Sequence, residues 1–334
     1  MKILKRYKNR QSSEFTLMII FAGIFIVMSV LSPDKFLSVN NFKTMAFQLP
    51  EFGLMSLAMM VVVLTGGINL SITTGAALSS IVAAFILSSG FAQNNAVAGV
   101  VAALFACMLV SVMTGVLNGT VVAYVGVAPM LVTLGSKTLF EGLGLNLTKG
   151  GSISGFPEIY SYIGNETFLG IPVPLILFLA VVAISYFLLE KSAWGTEIYM
   201  VGCNETATKF SGIDTKKTLM KVYIYSGVMA GLASVLISSR YNSAKTDYGS
   251  SYMMQSITAV VLGGTSISGG HGTVAGTVIA VCIIQVVSTG LNILQVNRYI
   301  IDIITGFILI IVLAVRYLSK VMEDKRKIKE RLAL

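Results

Sequence analysis

Apolar residues in this chain fall in long unbroken blocks. About ten stretches are near-continuously hydrophobic: 15–32, 48–66, 71–89, 97–125, 128–146, 171–190, 219–239, 253–268, 273–294 and 298–318. Each approaches the roughly 20 residues a helix needs to cross about 30 Å of hydrocarbon. Continuous runs suit helices, which satisfy their own backbone groups in lipid, and not the in-out alternation of a membrane barrel. The pattern predicts an all-α polytopic membrane protein, one transmembrane domain over 1–334 with about ten helices. Glycine interrupts the second, third and eighth runs, and the eighth is the least regular.

Composition agrees. With 55% hydrophobic residues, 12% charged residues and a mean hydropathy of +0.82, the apolar surface exceeds what one globular core can hide. Charge then sets orientation, because Lys and Arg near span ends stay cytoplasmic. Ten spans put both termini on one side, and that arrangement leaves 17 of the 24 Lys and Arg inside: five near the N-terminus, five over 191–221 and seven over 316–334. Six fall in outer loops (Lys35, Lys43, Lys149, Arg240, Lys245 and Arg298), and Lys137 falls within a span. The expected layout is therefore a cytoplasmic tail at 1–14, a cytoplasmic loop at 191–218 and a basic cytoplasmic tail at 319–334. The net charge of +9 is accounted for by topology, and no nucleic-acid partner is needed.

The start "MKILKRYKNR" followed by an apolar run resembles a signal peptide, but the run is long and no small-x-small site follows it in "LSPDKF", so an uncleaved first helix is expected. Cys107, Cys203 and Cys282 are odd in number, and two lie within spans, so they read as packing residues and not as a disulfide framework.

Small residues recur at helical spacing: Gly115 with Gly119, Gly227 with Gly231, and Gly272 with Gly276. Such pairs let helices approach closely in lipid, and tight packing is the expected role. Two segments look alike, "VVLTGGINLSITTGAA" at 62–77 and "VVLGGTSISGGHGTVAG" at 260–276. They read as an internal repeat or as chance convergence of glycine-rich turns. Broken helices in corresponding halves point to a transport path, because unwound backbone survives at membrane depth only inside protein or against water.

Charged groups within spans are candidates for function. Lys137 and Glu141 stand four apart on one helix face, as a mutually neutralising pair or as path-lining groups. Asp302 follows Arg298 by four and reads as its partner, with a proton relay as the alternative. His271 stands alone and cannot build a metal site. No HExxH, GxSxG or GxxxxGK[ST] pattern occurs, so the chain carries no visible catalytic, metal or ATP-binding machinery and no cofactor of its own. The class that remains is transport, with a path but no engine. An engine docking from inside needs a polar element there, and 191–221, which holds "MVGCNETATKFSGIDTKKTLMK", is the only internal loop long enough. The other long polar stretch, 147–170, reads as an ordered outer loop or short interfacial helix. An ion-coupled secondary carrier and a membrane enzyme or assembly factor are the rival classes.

Four motifs in order carry a resemblance over roughly 48–318: "LTGGINLSITTGAAL" (64–78), "VAPMLVTLGSKTLFEGLGL" (127–145), "GTEIYMVGCNETATKFSGI" (195–213) and "AVVLGGTSISGGHGTVAGT" (259–277). They are similar to those of the permease subunits of bacterial ABC importers for monosaccharides, the ribose-type permeases. The resemblance implies a type II importer: two permease subunits around one path in the bacterial cytoplasmic (inner) membrane, cytoplasmic ABC ATPases that bind ATP and magnesium, and an extracytoplasmic solute-binding protein. It also implies that the loop after the sixth helix forms a coupling helix gripped by the ATPase, with Asn204, Glu205, Ala207 and Gly212 as its residues. Glu205 would place an acid at the helix start, where it favours the dipole, and Ala207 and Gly212 would keep the element slim. The translocation path is expected at the broken segments, around Gly66, Gly67 and Asn69 and around Gly263, Gly264 and Thr265, with Thr133. The chain departs from the family pattern at Asn69, which replaces an aspartate, at Cys203, at Thr206 and in "SITTG". Ribose or a similar monosaccharide is the expected solute. A sugar-derived signal such as autoinducer-2 is the alternative, and a nucleoside a more distant one.

Overall fold

A computed structural model describes residues 2–297 and, beyond them, 299–301, 303–308, 310–312 and 314, with side chains from residue 14 onward. Among the described residues the fold is helical apart from two pairs of two-residue strands and the connecting turns. In chain order the helices are α1 (Lys2–Leu31), α2 (Pro33–Phe36), α3 (Val39–Leu64), α4 (Ile72–Leu87), α5 (Gly90–Asn94), α6 (Ala96–Thr120), α7 (Pro129–Thr148), α8 (Glu158–Asn165), α9 (Val173–Tyr186), α10 (Ala193–Cys203), α11 (Glu205–Phe210), α12 (Thr215–Tyr241), α13 (Tyr252–Leu262) and α14 (Val274–Ile293). Single π-helical turns extend α6 through Val125 and α9 through Lys191.

Among the described residues, six helical segments are long and apolar enough to cross a membrane: Glu14–Leu31, Val39–Leu64, Ala96–Val125, Val173–Lys191, Thr215–Tyr241 and Val274–Ile293. Ile72–Leu87, Tyr252–Leu262 and Tyr299–Val312 are apolar but shorter. The eighth apolar run is where expectation and structure differ most. Its helix stops at Leu262, because the glycines that follow make a turn, and its eleven residues reach only about 16 Å.

α3 and α12 form the centre, with 83% of the membrane-length stretch of each buried, whereas only 6% of the Glu14–Leu31 stretch of α1 is buried, and α1 packs on the outside against α14. A helix that is apolar all round belongs inside, and α3 from Pro50 to Leu64 is buried at every position. The main core joins α3, α9, α12 and α13 through side chains such as Leu54, Met60, Phe178, Val222, Leu236 and Val260. A second cluster joins α4, α6 and α8 through Ile81, Ala84, Ala103 and Tyr160.

Two of the three glycine pairs do what their spacing predicts; Gly272 precedes α14, so it does not share a helix with Gly276, which packs on Gly263 instead. A side chain on Gly119 would meet Met220 Sδ at 2.9 Å and Tyr223 Cβ at 3.1 Å, and one on Gly227 would meet the Ser111 carbonyl at 2.5 Å. The two pairs thus face each other across α6 and α12, and the Ser111 hydroxyl donates to the Gly227 carbonyl at 2.6 Å. Close approach of backbones replaces the hydrophobic drive that lipid does not supply.

The 147–170 stretch is ordered, as expected. β1 (Ile153–Ser154) pairs antiparallel with β4 (Ser243–Ala244), and β2 (Thr167–Phe168) with β3 (Ile171–Pro172). α8 lies against the end of α12: Tyr160 Oη bonds Ser238 Oγ at 2.6 Å, and the Gly164 N–H donates to Ser239 Oγ at 2.8 Å.

Candidate functional site

The polar interruption at 192–214 folds into two helices, each with a side-chain N-cap, and a third cap starts α12. Ser192 accepts from the Gly195 N–H at 3.1 Å, Asn204 from the Ala207 N–H at 2.9 Å, and Asp214 from the Lys217 N–H at 3.1 Å. Each cap satisfies a donor that a helix start otherwise leaves orphaned. The Lys217 N–H, and after it the Lys217 ammonium 3.2 Å from the other oxygen, hold the Asp214 carboxyl below its ordinary value. α11 ends in a Schellman turn: the Gly212 N–H donates to the Lys209 carbonyl and the Ile213 N–H to the Thr208 carbonyl, with Gly212 at φ +82°.

This geometry says what each expected residue does locally. Asn204 is the cap that starts α11. Glu205 and Ala207 are exposed on its first turn, and only Thr208 of the helix is buried. A Cβ on Gly212 would meet nothing within 4 Å, so glycine is there for its left-handed backbone and not for slimness. Sequence reasoning passed over Phe210, which is 88% exposed on this helix. A large aromatic in an otherwise polar loop was the signal available.

The two look-alike segments end their helices in the same way. Gly66 (φ +81°) donates to the Val63 carbonyl and Gly67 to Val62; Gly264 (φ +100°) donates to Val261 and Thr265 to Val260. The sequence likeness is thus matched by a common helix end. The structure brings both turns together, and it brings α10 to them. The Gly270 N–H donates to the Leu64 carbonyl at 2.9 Å, Tyr199 Oη donates to the Gly272 carbonyl at 3.0 Å, and Cys203 Sγ lies 3.7 Å from the Gly270 carbonyl. Gly202 sits against the Leu64 carbonyl and the Gly270 N–H, and a Cβ on Gly269 would come within 2.8 Å of both the Gly202 carbonyl and the Gly66 nitrogen. Gly263 and Gly276 pack backbone on backbone where α13 passes α14. The first residue of α14 is held by Glu190, whose Oε1 accepts from the Val274 N–H at 3.0 Å.

Asn69 and Thr133 lie beside this junction, and their polar atoms are occupied. Asn69 donates to Ser226 Oγ at 3.2 Å and accepts from Ser71 Oγ at 2.8 Å, Asn118 donates to Ser71 at 2.8 Å, and Ser136 donates to Asn118. Thr133 donates to the Ile68 carbonyl at 2.9 Å. All of these side chains are buried, so the network ties α6, α7 and α12 to the first break. Thr265 is fully buried, and its hydroxyl has no hydrogen-bond partner among the described residues.

Charges within the helices are distributed differently from expectation. Lys137 is half-buried and Glu141 exposed on α7, and no ion pair within 4 Å joins them. Arg298 and Asp302 lie outside the described residues. Among the described residues, the charged group buried in the core is Glu51 of α3, at 1% exposure. Arg240 Nε of α12 lies 2.8 Å from Glu51 Oε1, and Tyr252 Oη of α13 donates to Oε2 at 3.1 Å. Arg240, expected as an outer-loop cation, is instead the partner that makes an acid inside α3 tolerable. The Arg240 guanidinium also covers the Tyr241 ring at 4.8 Å, and Tyr241 packs on Tyr248. Glu51 stands in the second apolar run, and an acid in such a run was its only sequence signal.

A multi-pass bundle whose central helices break at glycines, with a capped exposed helix at the level of the breaks, has the form of a membrane transport subunit. The chain belongs to the family described as branched-chain amino acid transport system / permease component, which matches residues 41–313. It is 37% identical over 296 residues to the ribose import permease protein RbsC of Bacillus subtilis, covering 87% of this chain and 89% of that one. It is 30% identical over 328 residues to the autoinducer 2 import system permease protein LsrD of Yersinia enterocolitica, covering 96% and 95%. Against LsrD of Photorhabdus temperata the figures are 31% over 320 residues, with 93% of each chain covered. No solved structure matches the chain.

Proposed function

We propose that this chain is the transmembrane subunit of an ATP-driven importer for a small sugar or sugar-like solute. The observation that carries the reading is the exposed, doubly capped α11, one residue from an α10 that touches both glycine breaks. In this reading the chain crosses the bacterial cytoplasmic membrane ten times with both termini inside, and α11 is the coupling helix. ATP and magnesium bind to cytoplasmic ATPase subunits, a second permease completes the path, and an extracytoplasmic binding protein delivers the solute. Glu205, with Ala207 beside it, meets the ATPase, while Asn204 and Gly212 fix the ends of the helix. Phe210 supplies the apolar anchor, because exposed aromatics that become fully buried carry much of an interface's energy. The breaks at Gly66, Gly67, Gly263, Gly264 and Thr265 form the inner floor of the path. Asn69 and Thr133 hold that floor in shape, since their polar atoms are already bonded. The similarity to ribose and autoinducer 2 permeases supports a sugar or a sugar-derived signal as the solute, and a panel of labelled solutes distinguishes them.

Co-expression with the partner ATPase tests the reading. Wild type is expected to co-purify with it and to support ATP-dependent uptake. Glu205→Arg is expected to abolish co-purification, and Phe210→Ala to weaken it by roughly tenfold. Persistent ATPase binding and uptake in Glu205→Arg would show the coupling assignment to be wrong. Uptake that survives ATP depletion but stops with an uncoupler would assign the protein to ion-coupled carriers instead.

A further inference from the structure

We infer that Gly202 is the joint through which movement of α11 reaches both interrupted segments at once, an inference that rests on α11 being the coupling helix. Only Asn204 separates α10 from α11, so a displacement of α11 pulls directly on the last turn of α10. That turn is wedged between the ends of two different helices. Gly202 lies so close to the Leu64 carbonyl that any Cβ would collide with it, and the same Cβ would sit 2.5 Å from the Gly270 nitrogen. Leu64 ends α3 and leads through the first break into α4, while Gly270 sits in the second break and leads into α14.

The contacts of Gly202 itself are backbone on backbone. Side chains in an interface absorb a displacement by changing rotamer, but peptide units in van der Waals contact do not, and close-packed regions pass strain on with little loss. Gly66, Gly202 and Gly269 set backbone against backbone, each with a backbone atom within 3.5 Å of where its Cβ would stand, while Gly270 and Gly272 make room for the Cys203 and Thr265 side chains. The two breaks are joined directly by one hydrogen bond, from the Gly270 N–H to the Leu64 carbonyl, and Gly202 packs against both of its ends. This bond is a small two-state element: made, it holds the two helix ends together, and broken, it releases one from the other. Tyr199, one turn back on α10, holds the Gly272 carbonyl and keeps α10 in register with the second break. Glu197 accepts from Thr218 Oγ1 at 2.8 Å, so the start of α12 follows the same movement. Gly202 and Tyr199 are thus positioning residues for transport: they touch neither solute nor nucleotide in this reading, and they tie the motor's stroke to the path.

Two variants test this in the assembled complex with its ATPase and binding protein. Gly202→Ala pushes a methyl group into the Leu64 carbonyl. The expected result is an ATPase that still co-purifies and hydrolyses ATP while uptake falls by roughly tenfold or more, a separation that general unfolding does not produce. The second variant, Gly270→Cys, uses the native Cys203, whose Sγ would lie 2.5 Å from the new Cβ. Because Gly270 has a left-handed backbone (φ +74°), the reduced variant is itself expected to be slower than wild type. The readout is uptake into membrane vesicles of the oxidised against the reduced variant: the disulfide is expected to lower it by roughly tenfold or more with the ATPase still bound, and reduction to return it to the reduced variant's level. Wild type treated with the same oxidant is the control. Unchanged uptake in Gly202→Ala, or in the oxidised Gly270→Cys variant against its reduced form with the disulfide confirmed by mass spectrometry, overturns the proposal. The result is separable from failure of the docking assignment, which is read from ATPase co-purification in Glu205→Arg alone.

Discussion

The same central helices are held together at two levels by opposite chemistry. At the level of α10, the end of α3 and the turn after α13 meet through glycine backbones and one hydrogen bond, with no charged side chain in the contact. About 20 Å along α3, Glu51, Arg240 and Tyr252 join α3, α12 and α13 through an ion pair and a phenolic hydrogen bond. A buried charge pair holds its partners firmly, because losing either partner strands the other in a medium that cannot solvate it. A glycine contact holds less strongly but transmits position faithfully. Damage at the charged level should therefore appear as lost stability, and damage at the glycine level as lost coupling.

The largest stability effect is expected from Arg240→Ala, which leaves Glu51 buried and unpaired at a cost of about 3–5 kcal/mol. Thermal unfolding of the purified protein in detergent should register this clearly, and Glu51→Leu combined with Arg240→Met should recover most of it. A single variant that melts like wild type would erase the contrast between the two levels. A smaller and more local effect is expected from Gly212→Ala, which forces an alanine into the left-handed region at about 1–2 kcal/mol. Amide exchange over 205–213 should quicken while the global melting temperature hardly moves. A global loss instead would mean that α11 is part of the core.

The smallest effect concerns Asp214, a solvated charge at the coupling end that contrasts with the buried Glu51. Its folded-state value is lowered from the ordinary 3.8, so its cap is fully formed above that value and is lost as pH falls through the lower folded one. On acidification, amides at the start of α12 should lose protection relative to intrinsic exchange, and Asp214→Asn, which still caps, should remove that dependence. The same acid response in both proteins would exclude the carboxyl as its source.

These expectations show where the sequence could be read and where it could not. Apolar runs are local, and among the described residues helices fall on them, apart from the stretch after Leu262 in the eighth. The facing glycine pairs of α6 and α12 were legible because their period is helical, and the twin ends at Gly66 and Gly264 because their residues repeat. The Glu51–Arg240 pair was not legible as a pair, since 189 positions separate the partners; Glu51 stood out as an acid inside an apolar run, but nothing near it in sequence named Arg240. Gly202 was invisible for a related reason. In the motif "MVGCNETA" it reads as one more small residue, and only the arrival of Leu64 and Gly270 beside it gives its missing side chain a purpose. The structure also moved Gly212 from a packing role to a conformational one.

The ties on α12 have a mechanical consequence. Ser238 and Ser239 are bonded to α8 and Arg240 to α3, while the opposite end meets α10 through Thr218. Between those ends α12 packs closely on α6 at Gly115 and Gly227 and is bonded to α4 through Ser234. Held along its whole length of about 40 Å, it cannot tilt alone. A displacement at Thr218 has to carry α6 and α4 with it, and with them Asn69, bonded to Ser226 near the middle of α12.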